Sequence, residues 1–479
     1  MLLLVACTGD GATNEGLSLG TLSAEPDVAF PTVFAVSWED SLEGVDRFVE
    51  YGREGEEFTR RTHVLDGPSG RVIGLTGGQS WTLRAVAESA DGARVESESL
   101  TVEVEAAPSG LPRFVEQSAS AARGNDLQAL TFVSVIQDGN AWLAALDENG
   151  EYAWWHESEK HRDIDAVHLS ADGAGLVFTH FGPSGDDAGI GYVRFDGTET
   201  SYTPAPGGHH DAVQRADGTL YYIGSEITED AVLEDGPSTD VSTDTILRIS
   251  PGASAPEQLF GFPQGYPYPL WRPCTHFDQE KAGGGHDFSH TNSVMIDEAA
   301  GELLFMSKNL DSLTAIDLET GEFLWQIGGR YSDYSDVAGD NPADDAGAWQ
   351  VDGPNATWWS HGHMSDYWGE GMLVFDNGYH HLKLVSRVVE YRIDHDARTL
   401  EKVQEWESPA GAFSPVLGDA QRLPNGNRLL AYMLEGRVTE VTTDGDVVWD
   451  AVLELGAGVG RITHVPDVYA GLAKAARRR

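Results

Sequence analysis

The chain has 479 residues, 41% of them hydrophobic, and carries 77 acidic against 31 basic side chains for a formal charge of −46 at pH 7. That length exceeds one ordinary hydrophobic core, so two domains, or one large repetitive domain, are expected. The acidity excludes nucleic acid as a partner and fits solubility or high salt, and any site for an anion must be a local cationic exception. Fifty-five glycines and 13 tryptophans predict an all-β chain of short aromatic-rich strands joined by tight turns.

At the N-terminus Leu4-Val5-Ala6-Cys7 matches a bacterial lipobox, an apolar run ending in small residues before a cysteine that becomes lipidated. The apolar stretch is short for a signal peptide and lacks its basic start, which predicts a start further upstream. Residues 1–25 are therefore expected to be a signal remnant and tether. The protein would be exported, periplasmic or at the cell surface, and would meet a membrane through a lipid on Cys7. Later segments fall short of the roughly 20 apolar residues of a spanning helix. The two cysteines, Cys7 and Cys274, read as too few for a disulfide framework or a cysteine metal site.

Residues 26–105 show two-residue alternation. Strands are expected at Val33 to Trp38, Phe48 to Gly52, Trp81 to Ala87 and Leu100 to Val104, with a turn at Asp91-Gly92. Short strands without a helical period predict a β-sandwich. Val36-Ser37-Trp38, Glu50-Tyr51-Gly52 and Gly74-Leu75 before the Trp81 strand resemble fibronectin type III modules. A linker, 106–112, follows.

From 113 to 479 a phrase repeats: an apolar strand, an Asp-containing turn, then a strand ending in Trp. It runs from Leu313 to Trp325, from Leu146 to Trp154 and from Val441 to Trp449, with weaker copies at Phe195-Asp196-Gly197, at Ile249 to Gly252 and from Ile393 to Trp406. Five of these six units have a second hairpin before them, at Asp172-Gly173, Asp217-Gly218, Asp297 to Gly301, Glu370-Gly371 and Asn425-Gly426. Two hairpins make the four strands of one blade, so a six-bladed β-propeller is predicted, its last strand near Arg461 to Val465 pairing with the first blade. The terminal tryptophans read as core between blades.

Counting back from the first-hairpin turns aligns the blades. His210 lies eight residues before Gly218, His363 eight before Gly371, and His290 seven before Asp297, as His210 is before Asp217; Asp165 and Gly418 are the equivalents in flanking blades. Three of 16 histidines thus share one repeat position that a propeller aims at its axis. Lys308 mirrors His290 across its hairpin, and Asn292 shares the face of His290. His210, His290, Asn292, Lys308 and His363 combine nucleophile and acid–base candidates with a cation, which suits an anion whose charge moves during transfer.

Asp287-Phe288-Ser289-His290-Thr291-Asn292-Ser293 resembles the Asp-Trp-x-His-x-Asn-Ser motif of bacterial arylsulfotransferases. Phe375-Asp376-Asn377-Gly378, Ser386 to Tyr391, Ala420 to Asn427 and His209-His210-Asp211 are similar to further phrases of that family, over roughly Leu111 to Leu472. The resemblance implies ping-pong sulfuryl transfer from an aryl sulfate donor to a phenolic acceptor, with neither a nucleotide sulfate nor another cofactor. It implies a nucleophile at His363, with His210, His290 and Asn292 holding sulfuryl oxygens and assisting proton transfer. Lys308 stands where the family has arginine, keeping the charge and losing the bidentate fork. The family's disulfide cannot form here. His361, two residues from His363 and expected on the same strand face, is the alternative nucleophile. Two other readings stay open. One is a non-catalytic exported propeller that binds a partner or ligand. In the other, the three histidines hold zinc or copper, against which stand the absence of HExxH-type spacing and the nearby Lys308.

Overall fold

The computed structural model describes residues 19–120, 123, 127–137, 140–157, 164, 166–181, 188–234, 236–267, 269–278, 281, 284–329, 349–352 and 358–476. Cys7 and Asp165 lie outside them. The chain divides into two compact units, Met1–Glu105 and Ala106–Arg479. Both are built from strands; the helices described are short, and none is long and apolar enough to cross a membrane.

The first unit holds two antiparallel sheets. One contains Ser23–Pro26, Phe34–Ser37 and Ser69–Val72, and the other is built on Val45–Arg53 and Ser80–Ser89 with three shorter strands. In Phe34–Ser37 burial alternates residue by residue, as the period-two pattern requires when one face meets a core. Tyr51 and Trp81 fill that core on the larger sheet, their rings 5.9 Å apart.

The second unit contains six sheets in chain order, each of four or five strands and antiparallel except for short parallel additions. Gly458–Val465 pairs with Leu130–Gln137 of the first sheet, and Phe114–Ala119 joins Val447–Leu453 of the last. Each end of the chain is thereby sewn into a sheet begun at the other end. The tryptophans closing the repeats join neighbouring sheets: Trp154 Nε1 donates to Phe195 O (3.2 Å) and Trp406 Nε1 to Thr442 O (3.2 Å). Trp325 stacks against Tyr367 and His395 of the next sheet.

Buried charge ties these sheets together. Arg461 Nη1 lies 2.6 Å from Asp211 Oδ2 and 2.8 Å from His168 Nε2, while its Nε approaches Asp419 Oδ2 at 3.5 Å. Asp211 Oδ2 also accepts the Val294 N–H, and Asp419 Oδ2 the Ile462 N–H. One guanidinium therefore links the strands that open the second, third and sixth sheets, and Asp211 extends the link to the fourth.

Candidate active site

The site gathers where the first strands of the third, fourth and fifth sheets begin, at His209–Gln214, Thr291–Asp297 and His363–Tyr367. His210, His290 and His361 share a left-handed backbone, with φ of 59°, 47° and 56°. Such φ values are uncommon for residues other than glycine and cluster at functional sites. The counting that aligned His363 with His210 and His290 needs correction here. The left-handed turn glycine of the fifth sheet is Gly369 (φ 79°), not Gly371, and eight residues before it stands His361.

Backbone register and side-chain neighbourhood then diverge. The His210 and His290 rings meet edge to face, 5.2 Å between centroids. His363 lies near enough for its charge to act on both, as it also does on His361. His361 turns elsewhere: its Nε2 is 3.0 Å from His380 Nε2 and 3.5 Å from Cys274 Sγ. The expected common face of His361 and His363 fails because a left-handed residue breaks the strand's alternation.

Each ring of the first group is oriented by a partner. His363 Nδ1 is 2.7 Å from Asn377 Oδ1. The Asn377 amide nitrogen is committed as donor to Ser414 O (2.6 Å) and Leu417 O (3.0 Å), so its oxygen faces His363 and accepts. The proton of a neutral His363 therefore sits on Nδ1 and the lone pair on Nε2, which makes no hydrogen bond among the described residues. His290 Nδ1 meets Asp287 Oδ2 at 2.5 Å, and Lys281 Nζ holds the other Asp287 oxygen at 3.1 Å. His210 Nδ1 meets His209 Nδ1 at 2.8 Å, and His209 Nε2 reaches Gly224 O and Asp244 Oδ1, each at 3.2 Å.

Lys308 and Asn292 complete the group. The Lys308 backbone N–H donates to His290 O (3.1 Å), and Lys308 makes no ion pair among the described residues. Asn292 is fully buried; its Nδ2 donates to Gly362 O (2.8 Å), beside His363, and its Oδ1 has no partner. Burial, then the Lys308 charge, pulls the His363 pKa down to about 4. Burial also holds His210 and His290 well below the usual imidazole range, and it lowers Lys308. At neutral pH the site thus presents unprotonated imidazoles beside two lysines, Lys308 and the Asp287-paired Lys281, in a protein of strongly acidic composition.

A second cluster adjoins the first. Cys274 Sγ lies 3.7 Å from His276 Nδ1 and 3.5 Å from His361 Nε2, and one ligand atom each from Cys274, His276, His361 and His380 falls within 4.8 Å of the others. The sequence reading weighed the two cysteines alone and so passed over this cluster, in which three histidines stand beside one thiol. Several partners escaped the sequence reading: His209, Asp244, Lys281, Asp287 as a partner of His290, Asn377 and His380. Asp287 and Asn377 stood inside motifs already quoted, and Cys274-x-His276 was a visible spacing.

Oriented imidazoles beside the Lys281 and Lys308 amines are the kind of arrangement that suits an anion. A model of the family described as Arylsulfotransferase (ASST) matches residues 116–443, and the chain belongs to that family. Membership supports a sulfotransferase enzyme and suggests aryl sulfotransferase activity, with aryl sulfates and phenols as the implied substrate classes. No curated protein matches the chain. Among solved structures, a Bacteroides caccae protein of unknown function is similar at 12% identity, covering 71% of this chain and 99% of its own, with a TM-score of 0.42. A putative 6-phosphogluconolactonase from Bacteroides uniformis is similar at 13% identity over 88% of this chain and 100% of its own (TM-score 0.37). A streptogramin B lyase is similar at 11% identity over 74% and 97% (TM-score 0.36).

Proposed function

We propose that this protein moves a sulfuryl group from an aryl sulfate to a phenol through a sulfohistidine at His363. The observation that carries the reading is the His363–Asn377 pair, which leaves a bare Nε2 beside His210, His290 and Lys308. The lone pair of His363 Nε2 forms the N–S bond as the S–O bond to the aryl group breaks. Lys308 and Asn292 stabilise the charge gathering on the sulfuryl oxygens, with His210 beside them. The bound anion favours protonation of His290, which Asp287 orients, and that proton passes to the departing phenolate oxygen. In the return half His290 takes the proton of the acceptor phenol, whose oxygen attacks sulfur as the S–N bond breaks. His361, its Nε2 already engaged by Cys274 and His380, is the weaker nucleophile. A non-catalytic scaffold is not favoured by membership in an enzyme family.

The same reading takes Ala106–Arg479 as a closed six-bladed propeller, for which the pairing of Gly458–Val465 with the first sheet is the support. It takes residues 26–105 as a fibronectin type III-like sandwich, supported by two sheets whose buried faces alternate. It keeps the lipid anchor at Cys7 and an exported location, supported by the lipobox. The activity is tested by mixing purified protein with p-nitrophenyl sulfate and a phenol. Acceptor-dependent nitrophenol release with formation of the sulfated phenol supports the reading, and no transfer with a range of aryl sulfates and phenols contradicts it.

A further inference from the structure

The cluster beside the sulfuryl-transfer group is built from three separate places in the chain. Cys274 and His276 come from the short 3-10 turn at Thr275–Asp278 and the residue before it. His361 precedes the fifth sheet's first strand, and its backbone N–H is tied to the Asp311 carboxyl. His380 lies in the turn after Gly371–Asp376, where its N–H donates to Ser360 Oγ (3.1 Å). Asp376 fixes that turn by accepting the N–H groups of Ser360 and Gly378.

Three of the six ligand-atom pairs have roughly the spacing of a coordination shell, and the others lie within 4.8 Å. Four ligands around one tetrahedral zinc would put neighbouring nitrogens about 3.3 Å apart and sulfur about 3.6 Å from nitrogen. Here His361 Nε2 and His380 Nε2 are 3.0 Å apart, and Cys274 Sγ is 3.5 and 3.7 Å from two histidine nitrogens. The His276 ring packs against the His361 and His380 rings at 4.5 and 6.4 Å, so the three imidazoles converge from different directions. The fully buried His361 also has a second nitrogen, Nδ1, with no partner.

We propose that Cys274, His276, His361 and His380 bind one zinc-class divalent cation in a tetrahedral site of one cysteine and three histidines. One thiolate and three imidazoles suit a borderline-soft ion and not magnesium or calcium, which take oxygen ligands. On binding, the Cys274 thiol gives its proton to solvent and its sulfur forms the bond to the metal. Lys308 acts on Cys274, His276 and His361 and opposes a cation; the Cys274 thiolate supplies the opposite charge, while burial pushes the adjoining Asp311 carboxyl up to about 8. Four protein ligands leave no open position, so the ion clamps the Cys274 segment and the His380 turn to the start of the strand bearing His363. The site goes beyond the sulfuryl-transfer reading and does not depend on it.

The test uses the full chain, stripped with a chelator and titrated with Zn2+ against a chromophoric competitor, then with Co2+. One Zn2+ per chain is expected, and Co2+ should give intense tetrahedral d–d bands with a thiolate-to-cobalt charge-transfer band. Cys274→Ser should abolish the charge-transfer band. His380→Ala should weaken Zn2+ binding by more than the roughly 10–100-fold that loss of an outer partner costs. Circular dichroism identifies the folded variants, and His276→Gln, a change at a half-buried position, replaces any that fails to fold. No stoichiometric Zn2+ binding by the wild type overturns the proposal, as does equal affinity in the wild type and the folded ligand variants. The readout is binding, so a dead transferase with an intact cobalt spectrum would count against the reaction and leave the site standing.

Discussion

In the proposed reaction His363 attacks through Nε2 because its other nitrogen is occupied. Asn377 Oδ1 holds Nδ1–H at 2.7 Å, and the Ser414 and Leu417 carbonyls keep the asparagine from flipping. Replacing His363 with alanine should remove nearly all turnover of p-nitrophenyl sulfate, whereas Asn292→Ala, the loss of one donor, should cost about 10²–10³ in kcat. Asn377→Asp keeps an acceptor for Nδ1–H and should recover most of what Asn377→Leu loses; equal loss in both would make Asn377 a packing residue. Lys308→Arg should retain activity and Lys308→Met should lose it, since the charge is what the site needs. The sequence named His210, His290, Asn292, Lys308 and His363 as one set, with His363 entering by a register count that the left-handed Gly369 displaces to His361. Their orienting partners were not legible, because tautomer and hydrogen-bond direction depend on which side chain faces which across a hairpin.

At the scale of the element, a turn glycine sets the register and a mistaken one shifts it. The Trp368-Gly369-Glu370-Gly371 turn offers two glycines, and composition alone does not say which is left-handed. Gly369 takes the positive φ, while Gly371 is confined by the Trp368 ring, only 2.5 Å from where a Cβ would sit. The Asp217-Gly218 and Asn425-Gly426 turns hold one glycine each, which takes the left-handed position, and in Asp172-Gly173-Ala174-Gly175 the positive φ likewise falls on the first glycine, Gly173. The same reasoning separates two substitutions. Gly369→Ala enters open space and should cost roughly 1–2 kcal/mol of backbone strain. Gly321→Ala has the same strain at φ 73° and would also put its Cβ 2.0 Å from Leu259 O of the preceding sheet. Urea denaturation should find Gly321→Ala clearly the less stable, and equal midpoints would contradict that account.

For the whole molecule the repeat was readable because each unit carries its own turn and four of the six a closing tryptophan, Trp154, Trp325, Trp406 and Trp449. The charge staple was only half visible: Asp211 and Asp419 each stand seven residues before a turn glycine, Gly218 and Gly426, but His168 and Arg461 fall outside that spacing. Removing one partner strands a buried charge, so Asp211→Asn should destabilise the second unit by about 3–5 kcal/mol. The Arg461 and His168 interactions hold the Asp211 carboxyl down at about 2 against an ordinary 3.8, despite burial, which opposes this. A depressed folded-state pKa stabilises above the unfolded value, and that stability fades as pH falls toward the folded one. The advantage of wild type over Asp211→Asn should therefore be full above about pH 4 and shrink toward pH 2 in chemical denaturation. A gap that does not change with pH would mean that the carboxylate charge is not what Asp211 contributes.

The central claim of the proposed function is one bond, between sulfur and an imidazole nitrogen of His363. The measurement that bears on it most directly is the mass of the intact chain after brief mixing with an aryl sulfate and no acceptor. The account predicts a single sulfuryl adduct, mapped by peptide fragmentation to His363, discharged by added phenol and absent from His363→Ala. An adduct that persists in His363→Ala and disappears in His361→Ala would contradict it.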